Sequence, residues 1–257
     1  MHGIIMAGGF GTRLHPLTYG LPKPMVPILN RPIMYYVITQ LRSAGIKKMT
    51  SLLYFEPEII SNYFGDGKKL GIKMSYVTSP DDYGTAGAVK YATHKLNINQ
   101  LVVVISGDVL TDIDLANAIE EHKQSGCPIT IVLTRVENPL SYGIVIVNKE
   151  GRVEKFMEKP TWGQVFSDMV NSGIYIIEPE MLDYIPLQQT FDFSRELFPL
   201  LIKKGISINS YIAKGYWRDV GTLFDYREAC FDALQGRVNL NHNFQAVSYT
   251  HLTLPTN

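Results

Sequence analysis

Gly8-Gly9-Phe10-Gly11-Thr12-Arg13, followed by Lys23 between Pro22 and Pro24, are the residues of this chain whose types and spacing suit phosphate chemistry. Glycines let consecutive N–H groups point into one concavity at dihedral angles that other residues avoid. Arg13 adds a forked cation matched to phosphate oxygens. The two prolines stiffen the backbone at Lys23 and hold its amine in place. The turn is not a Walker A loop, because no Gly-Lys-Ser/Thr follows, and Arg-Leu-His-Pro does not open a helix as a dinucleotide fingerprint requires. Taken alone, the turn also fits a tight bend with a surface arginine. The long Gly- and Pro-rich span 8–27 points instead to a functional loop, since loops of that length in compact domains are usually functional.

Three further groups carry chemistry. Gly107-Asp108 follows Leu101-Val102-Val103-Val104-Ile105, the most hydrophobic run of the chain. A carboxylate at the carboxyl end of a buried parallel strand lies where open α/β sheets bind ligands, and it suits a hard divalent cation such as Mg²⁺. A strand-ending Asp that caps a loop fits equally well, and Asp112 or Asp114 could do that job. Tyr83-Gly84-Thr85-Ala86-Gly87-Ala88 sets small residues at a helix start, where exposed N–H groups suit oxygen acceptors. Glu158-Lys159-Pro160 alone reads as a charged turn, and Trp217-Arg218-Asp219-Val220-Gly221-Thr222 as the cap of a last helix; Asn171-Ser172-Gly173 takes meaning only from the ordered set.

The elements that must position these residues alternate. Apolar runs at 3–6, 49–54, 72–77, 101–106 and 129–134 predict strands, with helices over 32–44, 57–64, 85–95 and 114–124. This βαβ rhythm predicts an α/β fold: a Rossmann-like, doubly wound, mostly parallel sheet. After 135 shorter strands at 143–147, 152–157 and 171–177 predict a small antiparallel extension lying over the sheet. Asp192 is a plausible cap for a helix near 193–203, and Thr222 opens a last helix near 222–235. There is no internal repeat and no low-complexity segment.

The run MAGGFGTRLHPLTYGLPKPMVPILNRPI resembles the signature of sugar-phosphate nucleotidylyltransferases, and within that family it is most similar to mannose-1-phosphate guanylyltransferases. YGTAGAV, VISGDVLTDIDL, EKP, VNSGIYI and YWRDVGT follow in family order, so the resemblance spans roughly residues 3–240. It implies the nucleotide-diphospho-sugar transferase fold, with a nucleotidylyltransferase domain over 1–238. It implies transfer of a nucleotidyl group from a nucleoside triphosphate, GTP first, to a hexose 1-phosphate, mannose 1-phosphate first, with release of pyrophosphate. Glucose-1-phosphate thymidylyl or uridylyl transfer stays open, as does a catalytically silent subunit that senses nucleotide sugars. A glycosyltransferase is a third alternative, since Asp112-Ile113-Asp114 matches its Asp-x-Asp motif, although the glycine turn and Pro-Lys-Pro fit it badly.

The same resemblance assigns roles. Gly8, Gly9, Gly11 and Thr12 would cradle the triphosphate, Arg13 would hold its β and γ phosphates, and Lys23 would neutralise charge around the α-phosphate. Asp108 and Asp219 would hold Mg²⁺, Lys159 would orient the attacking phosphate, and Gly143, Glu158 and Asn171 would meet the sugar. Gly84 and Thr85 would border the base. Upstream of that motif the chain departs from the family pattern: Asp81 and Asp82 stand where relatives carry glutamates that can read guanine, so Asp81 or Asp82 would take that part, Asp82 being the candidate base reader, each shorter by a methylene. The attacking phosphate is already an anion, so no general base is required and none of the six histidines is assigned a catalytic role.

Composition fits these expectations. Lys plus Arg and Asp plus Glu number 24 each in the 257 residues, so no net field draws the chain to nucleic acid or an acidic membrane. Cys127 and Cys230 lie far apart without metal-like spacing. No 18-residue apolar window and no signal pattern occur, which predicts a cytoplasmic protein with small-molecule substrates and leaves a homo-oligomer open. The tail 239–257 is different. Its AVSYTHLTLPTN end matches one reading frame of a sequencing-library transposase adapter. The expectation is a natural chain interrupted near Gln245, beyond which the resemblance implies further domains such as a left-handed β-helix.

Overall fold

The computed structural model describes residues 1–158 and 167–240. Its centre is a parallel array in which β1 (His2–Met6) lies between β4 (Lys48–Leu53) and β6 (Val102–Ser106), with β5 (Lys73–Thr78) outside β4. Ile4 pairs with Thr50 on one side and Val104 on the other. Val102 through Ile105 are wholly buried, as expected of a strand covered on both faces. Both faces are covered. On one, Met34, Val37 and Leu41 of α1 (Ile33–Ser43), Ile60 of α2 (Pro57–Phe64) and Leu115 and Ala118 of α4 (Leu115–Ser125) pack on Met49 and Ile105. On the other, Ala86, Val89 and Ala92 of α3 (Gly84–Lys95) and Phe198 and Leu201 of α5 (Phe198–Lys203) pack on Ile4 and Val104. Burial on this scale supplies the main drive to fold.

The predicted strands after 135 are present, but they do not lie over the sheet; they continue it. β11 (Met169–Ile177) runs antiparallel to β6, with Tyr175 opposite Val104. Its other edge pairs with β8 (Ile129–Arg135), and β12 (Ile208–Ile212) runs parallel to β8. β9 (Gly143–Val147) pairs with β10 (Val153–Glu158) and meets β11 where Val170 faces Ile144. The reason is register. β11 has a bulge between Asn171 and Ile174, so its first half serves β9 and its second half serves β6.

The helix expected over 193–203 is two pieces: a π turn over Phe193–Leu197 capped by Asp192, then α5. The last helix, α6 (Leu223–Leu234), opens with a capping box in which Thr222 and Asp225 satisfy each other's backbone. Two small two-stranded units have no counterpart in the sequence reading: the hairpin of β2 (Pro27–Ile28) and β3 (Arg31–Pro32), and the ribbon of β7 (Val109–Thr111) and β13 (Trp217–Asp219). Among the described residues no helix is long and apolar enough to cross a membrane.

His2 gives a pH-dependent term in the stability of this sheet. Its ring bonds Thr50 Oγ1 of the neighbouring strand at 2.8 Å. Burial, then the N-terminal amine and Lys48, press its pKa down to about 4. Below about 6.5 the unfolded chain takes up a proton that the folded one refuses, so stability falls as pH drops from about 6.5 toward 4. Buried His122, also held below its ordinary value by burial, acts in the same direction. Denaturant titrations at pH 7.5, 5.5 and 4.5 are expected to show this fall in the wild type and a shallower one in His2→Gln; parallel profiles would contradict the assignment.

Candidate active site

The glycine turn leaves β1 at Met6, whose carbonyl accepts from Gly107 N at 2.8 Å, so the end of β1 and the end of β6 are tied directly. Gly11 takes φ 65°, opens the single turn Thr12–Leu14, and accepts the Thr18 hydroxyl at 2.7 Å. A Cβ on Gly11 would come within 3.0 Å of Lys23 Cβ, so only glycine lets the turn lie on Lys23 at that dihedral angle. Pro22 is extended and Lys23–Met25 forms one tight turn, which buries Lys23 to 8% exposure.

Lys23 Nζ donates to Asp108 Oδ2 and, at 3.2 Å, to Asp219 Oδ1. The β7–β13 ribbon explains how two carboxylates distant in sequence meet: Asp219 pairs with Val109, and Val220 N donates to the Asp108 carbonyl at 3.1 Å. Burial alone would lower the Lys23 pKa, but the two carboxylates outweigh it and hold it above its ordinary value. Burial, then the charge of Asp108, raises Asp219 against the opposing pull of Lys23 and Arg13. Arg13 is close: its Nη2 and Asp219 Oδ2 lie 3.4 and 3.3 Å from where a Cβ of Gly221 would sit. Leu14, Leu110 and Val220, each one or two residues from Arg13, Asp108 or Asp219, share one buried cluster with Ile28, Ile33 and Ala229. Apolar packing of this kind fixes the charged residues beside it.

A cavity of about 390 Å³ opens at the carboxyl ends of β1, β4 and β6. Gly8, Gly9, Asp82, Gly84, Thr85 and Asp108 all line it, so five predicted nucleotide-binding residues and one predicted metal ligand face one space. Gly11, Thr12, Arg13, Lys23 and Asp219 do not line it; Lys23, bonded to the lining residue Asp108, ties Asp219 to the cavity. Gly143 and Asn171 sit one residue from the Val170–Ile144 pair, on neighbouring strands. Asn171 is heavily engaged: Nδ2 donates to Tyr175 Oη and Ser194 Oγ, and Oδ1 accepts from Gly173 N. Thr85 is also engaged, donating to Asp192 at 2.8 Å and accepting from Phe193 N at 3.0 Å. That pair locks the start of α3 to the 189–193 segment. A Cβ at Gly87 would lie 2.4 Å from the Gln189 carbonyl, so the approach needs glycine. Lys159 lies outside the described residues, and Glu158 ends β10.

The Asp-x-Asp segment is used up structurally. Asp112 accepts from Tyr216 N and Asn239 N, Asp114 caps α4, and Ile113 is buried. Sequence reading missed Phe10, Tyr54 and the second use of Asp192, all of which line the cavity. Phe10 is 54% exposed and meets Tyr54 edge-on at 5.5 Å. The available signal was a large aromatic inside a glycine turn. Trp217 was passed over too: it packs on Tyr142 at 5.4 Å and donates to the Ser172 carbonyl, joining β13 to the β11 bulge.

Asp108 and Asp219 offer hard oxygens converging on one cationic centre, which fits what Mg²⁺ takes from a protein when phosphates and water complete its shell. Among the described residues no third His, Cys, Asp or Glu joins them.

Residues 2–236 match the family described as Nucleotidyl transferase. The chain is 35% identical over 238 residues to mannose-1-phosphate guanylyltransferase of Mycobacterium tuberculosis (strain ATCC 25618 / H37Rv), covering 91% of this chain and 64% of that protein. It is also 35% identical over 241 residues to UTP–glucose-1-phosphate uridylyltransferase of Synechocystis sp. (strain ATCC 27184 / PCC 6803 / Kazusa), covering 89% and 62%. The chain thus spans less than two thirds of the length of these curated relatives. Among solved structures, HddC from Yersinia pseudotuberculosis complexed with GMP-PN superposes with TM-score 0.76 at 25% identity, covering 90% of this chain and 99% of that one. A putative glucose-1-phosphate thymidylyltransferase from Bacillus anthracis shares the fold, with TM-score 0.83 at 24% identity over 96% and 98%. Family match, fold and the arrangement of glycine turn, lysine and paired carboxylates agree: the chain belongs to the nucleotidyl transferase family.

Proposed function

We propose that this chain is a sugar-phosphate nucleotidylyltransferase that joins the nucleotidyl group of GTP to mannose 1-phosphate and releases pyrophosphate, its catalytic domain spanning 1–238. The observation that carries the reading is the Lys23 ammonium held between Asp108 and Asp219 beside a cavity lined by Gly8, Gly9, Asp82 and Asp108. Phosphoryl-type transfer asks the protein to position and neutralise rather than to form covalent bonds. The nucleoside would enter between Tyr54 and the 81–85 segment, and the glycine turn and Arg13 would receive the leaving phosphates. Lys23 would balance charge at the α-phosphorus, while an oxygen of the sugar phosphate, guided by Lys159, attacks in line and the pyrophosphate oxygen departs. Gly143, Glu158 and Asn171 would border the sugar, with Tyr142 closing that side. Asp108 and Asp219 are the residues that would hold Mg²⁺, which when bound supplies charge neutralisation at the phosphates. The proposed setting is the cytoplasm, with small-molecule substrates and no nucleic acid or membrane partner.

Uridylyl transfer to glucose 1-phosphate has its own support, since the Synechocystis relative is as similar as the mycobacterial one. Pyrophosphate release measured over a grid of triphosphates and sugar 1-phosphates with Mg²⁺ separates the two. GTP with mannose 1-phosphate as the best pair is the expected outcome. UTP with glucose 1-phosphate would replace the substrate assignment while keeping the reaction.

A further inference from the structure

Resting on the reading of Asp108 and Asp219 as the metal-holding pair, we infer that the Lys23 ammonium is a resident counter-cation that competes with the divalent ion for these carboxylates. Metal would then bind tightly only when triphosphate draws the lysine away. The contacts are direct: Nζ is within bonding distance of an oxygen of each carboxylate. Lys23 is also enclosed, with its side chain 10% exposed, against 26% and 31% for its partners. Pro22, Pro24 and the packing of Gly11 on its Cβ confine the stem, leaving the flexible end of the side chain as the part free to move. Two carboxylates facing each other without a cation would repel, so the folded protein needs a positive charge between them before any substrate arrives. A single ammonium meets that need as a compact point charge.

The consequence is an order of events. Metal alone must displace a hydrogen-bonded ammonium, and a ligand that shifts one of two competing states changes affinity only by its differential interaction with them. A triphosphate offers Lys23 new anionic partners, so lysine and metal change places together. The cation stays off the carboxylates until there is a phosphate for it to serve.

The test uses Mn²⁺ alone, without nucleotide, followed by the electron paramagnetic resonance signal of the free ion. Lys23→Met is expected to bind Mn²⁺ at least about tenfold more tightly than wild type, and Lys23→Gln, which keeps N–H donors without the charge, to fall between. The gain should vanish when Asp219→Asn is added. Thermal unfolding supplies a second readout: Mn²⁺ should raise Tm more in Lys23→Met than in wild type. Equal or weaker Mn²⁺ binding by folded variants, or a gain that survives loss of Asp219, would overturn the inference. Because no nucleotide is present, that failure is distinct from failure of the proposed reaction, which pyrophosphate release reads.

Discussion

Replacing Lys23 with methionine lowers the rate of pyrophosphate release by on the order of 10²–10³-fold, the cost typical of removing one preorganised electrostatic donor. Lys23 is the cation nearest the paired carboxylates and is locked there by two prolines and the glycine turn. No reorganisation would be required of it beyond the movement of its side-chain end. Methionine keeps the stem length and the packing against Gly11 but removes the charge. Folded stability should also fall by about 1–3 kcal/mol, since the two carboxylates lose their shared partner but keep partial access to solvent. Arg13→Met should lose a comparable factor in rate with little change in Tm, because Arg13 is exposed. Steady-state assays with thermal unfolding on the same samples check both, and a Lys23→Met enzyme with wild-type turnover would contradict the role given to Lys23.

Asp219→Asn is expected to cut turnover by on the order of 10² or more while leaving the protein folded. The amide has the shape of the carboxylate, and β13 keeps its pairing with β7 and the buried anchor Val220. Lys23 retains Asp108, so no buried charge is left alone. What is lost is one hard anionic oxygen for Mg²⁺. The deficit should therefore shrink as Mg²⁺ is raised, which a purely structural role for Asp219 would not produce. Turnover measured against Mg²⁺ concentration checks this: a deficit that stays constant at all concentrations would remove Asp219 from the metal pair.

The parallel half of the fold was legible because its signals are long. Val102–Ile105 is apolar throughout, and the intervening helices carry enough turns for periodicity to register. The β7–β13 ribbon was not legible. Three-residue strands have no period, and their pairing joins segments that sequence spacing cannot relate. That ribbon is the element that brings Asp219 to Asp108, so Asp108 could be read as a cation ligand from its strand end while Asp219's place beside it came from resemblance alone. The bulge at Ser172-Gly173, which sends the two halves of β11 to different partners, is likewise a tertiary decision. It turned the expected overlay into a continuation of one sheet. Within the site, residue type and structural use diverged at Thr85. The resemblance set it at the border of the base, yet its hydroxyl is engaged as both donor and acceptor by the 192–193 carboxylate and backbone. Phe10 shows the converse: an aromatic residue given no role from the sequence lies exposed along the cavity.

The most direct measurement is pyrophosphate release by the purified chain given Mg²⁺, each of GTP, UTP, dTTP and ATP, and mannose or glucose 1-phosphate. Turnover is expected, fastest with GTP and mannose 1-phosphate, and abolished by omission of the sugar phosphate. No release with any pair, from a chain that folds and binds nucleotide sugar by calorimetry, would contradict the proposed reaction.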